Sequence, residues 1–120
     1  MGGNSPLGRW GEDRAAAYLR RRLYRVVERN YTTRFGEIDL IVKNARYVVF
    51  AEVKLRKDDG FAAARDFVTE AKRERLRKTA ELWLAEHPTR LQPRFDVIEI
   101  YAPQGERTNF PRINHLRDAF

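Results

Sequence analysis

The sequence predicts an α/β fold in which the elements run α-β-β-β-α-β and a mixed central sheet is flanked by helices. Three observations lead there. An alanine- and arginine-rich stretch opens the chain with helical character, three short β-rich runs follow in succession, and a second helical stretch separates them from a further strand. At 120 residues with 42% hydrophobic content, the chain is sized for one domain spanning 1–120 with one core.

Ser5 before Pro6 reads as an N-cap and first helical residue, and the helix runs to about Leu23. At 100° per residue, Ala15, Ala16, Leu19 and Leu23 face inward, while Asp13, Arg14, Ala17, Arg20 and Arg21 face water. Tyr24 to Tyr31, Glu37 to Lys43 and Arg46 to Leu55 are β-rich runs separated by turn-like residues around 32–36 and at Asn44-Ala45, the last two forming a hairpin. Asp58-Asp59-Gly60 breaks the pattern. Ala64 to Glu86 then has helical periodicity, with Val68, Ala71, Leu76, Thr79 and Trp83 inward, until His87-Pro88 stops it. Arg94 to Tyr101 alternates as a fourth strand, and Arg112 to His115 suits a final edge strand. The aromatic residues Trp10, Phe50, Phe67, Trp83 and Phe95 are expected in the core, and His87 and His115, which lack metal-ligand spacing, on the surface.

Lys and Arg total 24 against 17 Asp and Glu, giving +7, and nineteen of the 24 are arginine, whose planar fork suits phosphate. A polyanion is the natural partner, although an arginine-rich surface also serves solubility alone. The absence of cysteine excludes disulfides, thiolate metal sites and thiol nucleophiles. With no long apolar run and no secretory pattern at the N-terminus, a soluble cytoplasmic protein without membrane contact is expected. Phosphate-binding loops, dinucleotide-binding glycine patterns, nucleophile elbows and zinc signatures are all missing.

Five charged residues fall where apolar ones are expected. Alternation in the third strand sets Val48, Phe50, Glu52 and Lys54 on one face. A hairpin turning near Asn44-Ala45 sets Asp39 opposite Phe50 or Glu52, and either register brings two carboxylates within about 4.5 to 8 Å; the register between them would break the pairing. Glu12 falls on the core side of the first helix and Lys72 near the centre of the inward stripe of the second. Buried charges need partners or a metal. Each residue also has a plainer reading: a cross-strand ion pair for Asp39, Glu52 and Lys54, a snorkelling Lys72, and a Glu12 favoured by the helix dipole. Together they make a site for a hard divalent cation, with Asp39, Glu52 and the Val53 carbonyl as ligands and Glu12 on a second ion or an outer water. Lys54 would orient water or pair with a phosphate, and Lys72 would add positive charge. Arg34, Arg56, Lys57 and Arg65 are candidates for holding a flanking nucleic-acid backbone.

Asp39, twelve intervening residues and Glu52-Val53-Lys54 resemble the D-x(n)-E-x-K core of the PD-(D/E)XK nucleases, and Gly36-Glu37-Ile38-Asp39-Leu40-Ile41 resembles the hallmark of the YraN family within them. The resemblance extends to Gly11-Glu12, Arg29-Asn30, Val68, Lys72 and the run from Arg94 to Ile98. Ile38 stands where the nuclease motif has proline, so the match is to the YraN branch more than to the motif at large. It implies a restriction-endonuclease-like fold similar to that of archaeal Holliday-junction resolvases. It also implies metal-binding or catalytic roles for Glu12, Asp39, Glu52 and Lys54, with Lys72 auxiliary, and a homodimer. The expected function is Mg²⁺- or Mn²⁺-dependent hydrolysis of phosphodiester bonds in DNA, branched or structured DNA included. The alternatives are a non-catalytic nucleic-acid-binding protein of the same fold, or a basic surface for an acidic protein partner.

Overall fold

A computed structural model describes residues 5–57 and 69–120. Helix α1 (Pro6–Arg21) is followed by strands β1 (Arg25–Thr33), β2 (Gly36–Lys43) and β3 (Tyr47–Arg56), helix α2 (Glu70–Glu86), strand β4 (Gln92–Tyr101), a short 3₁₀ turn (Gly105–Arg107) and strand β5 (Arg112–Leu116). The five strands form one sheet in the order β1-β2-β3-β4-β5. Only β3 and β4 pair in parallel, with α2 in the crossover between them; the other neighbours are antiparallel. The α/β class and the mixed sheet between helices thus follow the sequence pattern and are compatible with a restriction-endonuclease-like core.

Each helix covers one sheet face. Ala15, Ala16 and Leu19 of α1 pack on Leu40, Val42, Val49, Ala51, Ile98 and Ile100. On the other face Leu76, Ala80 and Trp83 of α2 pack on Ile38, Ile41, Val48 and Phe50. A central sheet covered on both sides explains why Ile38 to Val42 of β2 and Val48 to Glu52 of β3 are buried at consecutive positions instead of alternating.

Local chemistry sets the boundaries. Ser5 Oγ accepts from Gly8 N at 2.9 Å to start α1. Leu23 adopts a left-handed conformation (φ 71°), with Leu23 N donating to Arg20 O and Tyr24 N to Leu19 O, a Schellman closure that turns the chain into β1. Leu23 therefore does not join the core; it is 86% exposed. The turn between β2 and β3 is organised by Asn44 Oδ1, which accepts from Arg46 N and Tyr47 N at 2.9 and 2.8 Å. Thr69 has extended backbone angles and its Oγ1 accepts from Lys72 N, so α2 starts at Glu70, not at Ala64. Ala71, expected inward, is exposed. Val68, Phe67 and Arg65 lie outside the described residues.

His115 also departs from expectation. Its side chain is buried on β5, with Nε2 2.7 Å from Asp96 Oδ2 and Nδ1 3.2 Å from Tyr18 Oη. Asp96 is fully buried and accepts as well from Arg94 Nε and Nη2 (2.9 and 2.8 Å) and from Asp118 N. This network ties β4 and β5 to α1 and to Tyr24 just after it, whose hydroxyl accepts from Arg94. His87 stays exposed and stacks on Trp83.

Candidate functional site

The β2–β3 register pairs Leu40 with Ala51, and its continuation sets Asp39 across from Glu52. Regular pairing ends there. Instead of a backbone carbonyl, Asp39 Oδ2 accepts from Val53 N at 2.8 Å, so the carboxylate stands in the gap that opens between β2 and β3. The change of course is shared by β1, where Asn30 has φ 52°. That kink lets two consecutive residues reach α1: Arg29 Nη2 donates to Asp13 Oδ1 at 2.7 Å and Asn30 Nδ2 to Glu12 Oε2 at 3.0 Å. Without it, alternation would turn one of them to the opposite face.

Helix α1 closes over this point because Gly11 has no side chain; a Cβ there would stand 3.0 Å from Leu55 Cδ2. Glu12 is thereby only 2% exposed, and it lies beyond the first turn of α1, so its place is owed to tertiary partners and not to the helix dipole. Glu12, Glu37, Asp39, Glu52, Val53, Lys54 and Lys72 all line one open pocket of about 780 Å³. Two helices and two strands therefore deliver side chains to a single cleft.

Its electrostatics are those of carboxylates compensated only in part, with Arg29 Nη2 3.9 Å from Glu12 Oε1 and with Lys54 and Lys72 pulling against the shift of Glu52. Burial pushes Glu52 up to about 8, and the facing charge of Asp39 adds to the shift. Burial likewise raises Asp39 to about 6 despite the hydrogen bond from Val53, with Glu12 contributing. The Glu12 carboxyl is also raised by burial, against the pull of Asn30 and Arg29. Lys54 is lowered by burial and then by the neighbouring Lys72. Two carboxylate oxygens, Glu52 Oε2 and Glu12 Oε1, are buried without a hydrogen-bond partner. An orphaned buried oxygen is costly and marks a site completed by something else.

The donors are all hard oxygen atoms, which suits Mg²⁺ or Mn²⁺ and not a soft metal. Among the described residues, no three His, Cys, Asp or Glu side chains converge tightly enough to hold an ion by themselves. Asp39 and Glu52 form the inner pair, and Glu12 is drawn off by Asn30. The remaining ligands would come from backbone and water, as is usual for Mg²⁺. Because a strand residue's carbonyl leaves the same edge as its N–H, the Val53 carbonyl faces the gap holding Asp39.

Other anticipated residues fall elsewhere. Arg34 sits in the β1–β2 turn with its guanidinium 4.9 Å from the Phe35 ring centroid, outside the cleft. Arg56 Nη1 bonds the buried Glu99 Oε2 at 3.0 Å, and Lys57 is exposed just past β3. Arg65 lies outside the described residues. Glu37 lines the cleft, and sequence reasoning had assigned it no role; its place two residues before Asp39 was the available signal.

Comparison with known proteins agrees with the sequence resemblance. The family model described as "Uncharacterised protein family UPF0102" matches residues 11–100. A UPF0102 protein of Syntrophomonas wolfei is 41% identical over 119 residues, covering 98% of this chain and 99% of its own length. One from Nocardia farcinica is 41% identical over 121 residues, 100% of this chain and 93% of its own. Another, from Vibrio parahaemolyticus, is 45% identical over 97 residues, 79% and 80% of the two chains.

Proposed function

Since the chain belongs to the uncharacterised UPF0102 (YraN) family, its activity must be read from its site, and we propose that it is a metal-dependent nuclease hydrolysing phosphodiester bonds in DNA. The observation that carries this reading is the buried, partnerless Glu52 oxygen beside Asp39, in a cleft that also receives two lysines. Carboxylates paired only with lysines would need no orphaned oxygen, and a cleft meant only for an anion would not be lined by four acidic residues.

In this reading Asp39, Glu52 and the Val53 carbonyl hold Mg²⁺ or Mn²⁺. The ion, when bound, polarises a phosphate oxygen and lowers the pKa of water. Asp39 is aimed by the Val53 N–H, and Glu12, fixed by Asn30, leaves Oε1 to accept from an outer water or serve a second ion. Lys54 faces the scissile phosphate: its amine donates to a non-bridging oxygen or orients the attacking water, and Lys72 adds positive charge where negative charge accumulates. Water attacks phosphorus, the bond to the leaving oxygen breaks, and the leaving oxygen takes up a proton. The +7 charge supplies the long-range attraction for DNA.

The test is incubation of the protein with duplex, single-stranded and four-way-junction DNA in Mg²⁺, Mn²⁺ or EDTA, beside Asp39→Asn and Glu52→Gln. Cleavage by the parent that needs metal and falls by more than about 100-fold in both variants is expected. No cleavage by the parent, or equal cleavage by the variants, would contradict it. A second reading, a nucleic-acid-binding protein without turnover, is favoured by the lack of three converging metal-ligating side chains among the described residues. It predicts salt-sensitive binding that survives both substitutions, with no product.

A further inference from the structure

We infer that the β1–β2 turn and the adjoining flank of α2 form a second phosphate-holding surface, where Arg34, Arg75 and Lys78 grip the sugar-phosphate backbone of DNA as it leaves the cleft. The inference rests on the nucleic-acid reading above and adds the course that the substrate takes beyond the reacting phosphate.

Hydroxyl and backbone contacts fix the turn to the helix. Thr33 Oγ1 accepts from Phe35 N at 3.0 Å and lies 3.4 Å from Oγ1 of the fully buried Thr79, which donates to Arg75 O at 2.8 Å. Gly36 comes so near α2 that a Cβ on it would stand 3.9 Å from Arg75 Cβ. On this mount Phe35 is half-buried, with the Arg34 guanidinium carbon 4.9 Å from its ring centroid and Lys78 Nζ 5.7 Å away on the same ring. One aromatic ring thus holds two cations, and Arg75 rises beside them.

The nearby carboxylates are engaged elsewhere or face another way. Glu70 pairs with Arg73 and Arg77 at 3.9 and 3.4 Å, and Glu74 with Arg77 at 3.6 Å. At 100° per residue Glu70, Glu74 and the exposed Glu81 share the outer side of α2, whereas Arg75 and Lys78 share the flank next to the turn. Farther along that flank Glu86 accepts from Tyr31 Oη at 3.1 Å, and Glu37 lines the cleft. Among the described residues no carboxylate stands within ion-pair distance of Arg34, Arg75 or Lys78, all three of which are exposed. Like charges gathered on one spot repel each other until an anion joins them.

Position and chemistry select the anion. Phe35 comes two residues before Glu37 and Arg75 three after Lys72, and both Glu37 and Lys72 line the cleft, so the surface begins where the cleft ends. From Lys72 to Lys78 the helix climbs about 9 Å. That rise matches roughly two to three phosphates of one strand, at about 3.4 Å of duplex axis each. Arg34 and Arg75 add planar forks suited to phosphate oxygens. An acidic protein segment has no reason to run in line with the cleft, whereas DNA held at the cleft must pass over one of its rims. Such contacts give affinity and direction without reading bases.

The test is fluorescence anisotropy in EDTA over a salt series, with two duplexes of unrelated sequence and a labelled polyglutamate. It compares the parent with the triple variant Arg34→Gln, Arg75→Gln, Lys78→Gln. A control triple variant, Arg20→Gln, Arg21→Gln, Arg25→Gln, removes the same charge from exposed positions at the end of α1 and the far end of β1 from the turn. All six side chains are exposed, so both variants should fold, which circular dichroism checks. The first variant should bind both duplexes about 10- to 1000-fold more weakly and lower the slope of log affinity against log salt by about 2 to 3. The control should lower it by less than about 1. Equal changes in the two variants, an unchanged slope in the first, no DNA binding by the parent, or a larger loss for polyglutamate than for DNA would each overturn the surface. A lowered slope in the first variant alone, with a parent that cleaves nothing in any metal, would uphold the surface and remove the nuclease reading. Cleavage by the parent with an unchanged slope in the variant would do the reverse.

Discussion

Two carboxylates withdrawn from water and facing each other work against the fold whenever both are ionised. Glu52 and Asp39, raised to about 8 and about 6, bind protons in the folded protein that the unfolded chain releases near pH 4 to 5. The folded state therefore holds more protons between those limits, and its stability from these groups declines as pH rises from about 4.5 to 8. Asp96 has the opposite sign: burial would raise it, but hydrogen bonds from His115 and Arg94 hold it below the usual value, so its contribution is lost only in acid. In EDTA, Glu52→Gln should flatten the alkaline decline and gain roughly 1 to 3 kcal/mol at pH 8. Urea unfolding at pH 5 and pH 8 measures this, and a variant no more stable than the parent at pH 8 would refute it. Glu52 was legible because period-two alternation puts it on a buried face. The Asp96–His115 pair was not, since nothing local joins β4 to β5, and a lone histidine near a terminus looks like surface.

At the level of elements, the Ser5 cap, the turn at Asn44 and the strands were legible in the sequence, but the Thr69 cap and the direction of the chain just beyond a helix were not. Helical periodicity carried Leu23 inward, whereas α1 ends at Arg21 and the next residues reverse course. The left-handed position in this closure usually belongs to glycine. Leu23 is held there at a cost and contributes little burial in return. Leu23→Gly should therefore stabilise the protein by roughly 1 kcal/mol, a rise in melting temperature of about 3 to 6 °C, readable by thermal denaturation. A fall would mean that Leu23 makes contacts that its exposure conceals. The kink at Asn30 escaped sequence reading for a similar reason: its left-handed backbone is explained by the buried Glu12 it reaches, a partner on another element that no local pattern announces.

Across the whole molecule, sheet order and register deliver chemistry to one end. The parallel pair β3–β4 brings two carboxyl ends together, the antiparallel β2 returns Asp39 beside β3, and α1 and α2 close over opposite faces while each sends one charged residue into the same cleft. No helix among the described residues is long and apolar enough to cross a membrane. Asp39 and Glu52 are close, buried and incompletely satisfied, as the proposed sharing of a divalent cation requires. Calorimetric titration of Mn²⁺ into the parent and into Asp39→Asn asks this directly, because the amide oxygen introduced by that substitution can still accept the Val53 hydrogen bond although the charge is gone. Saturable heat is expected in the parent, with affinity lowered by at least about tenfold in the variant. Identical binding in both proteins, or none in the parent, would contradict it.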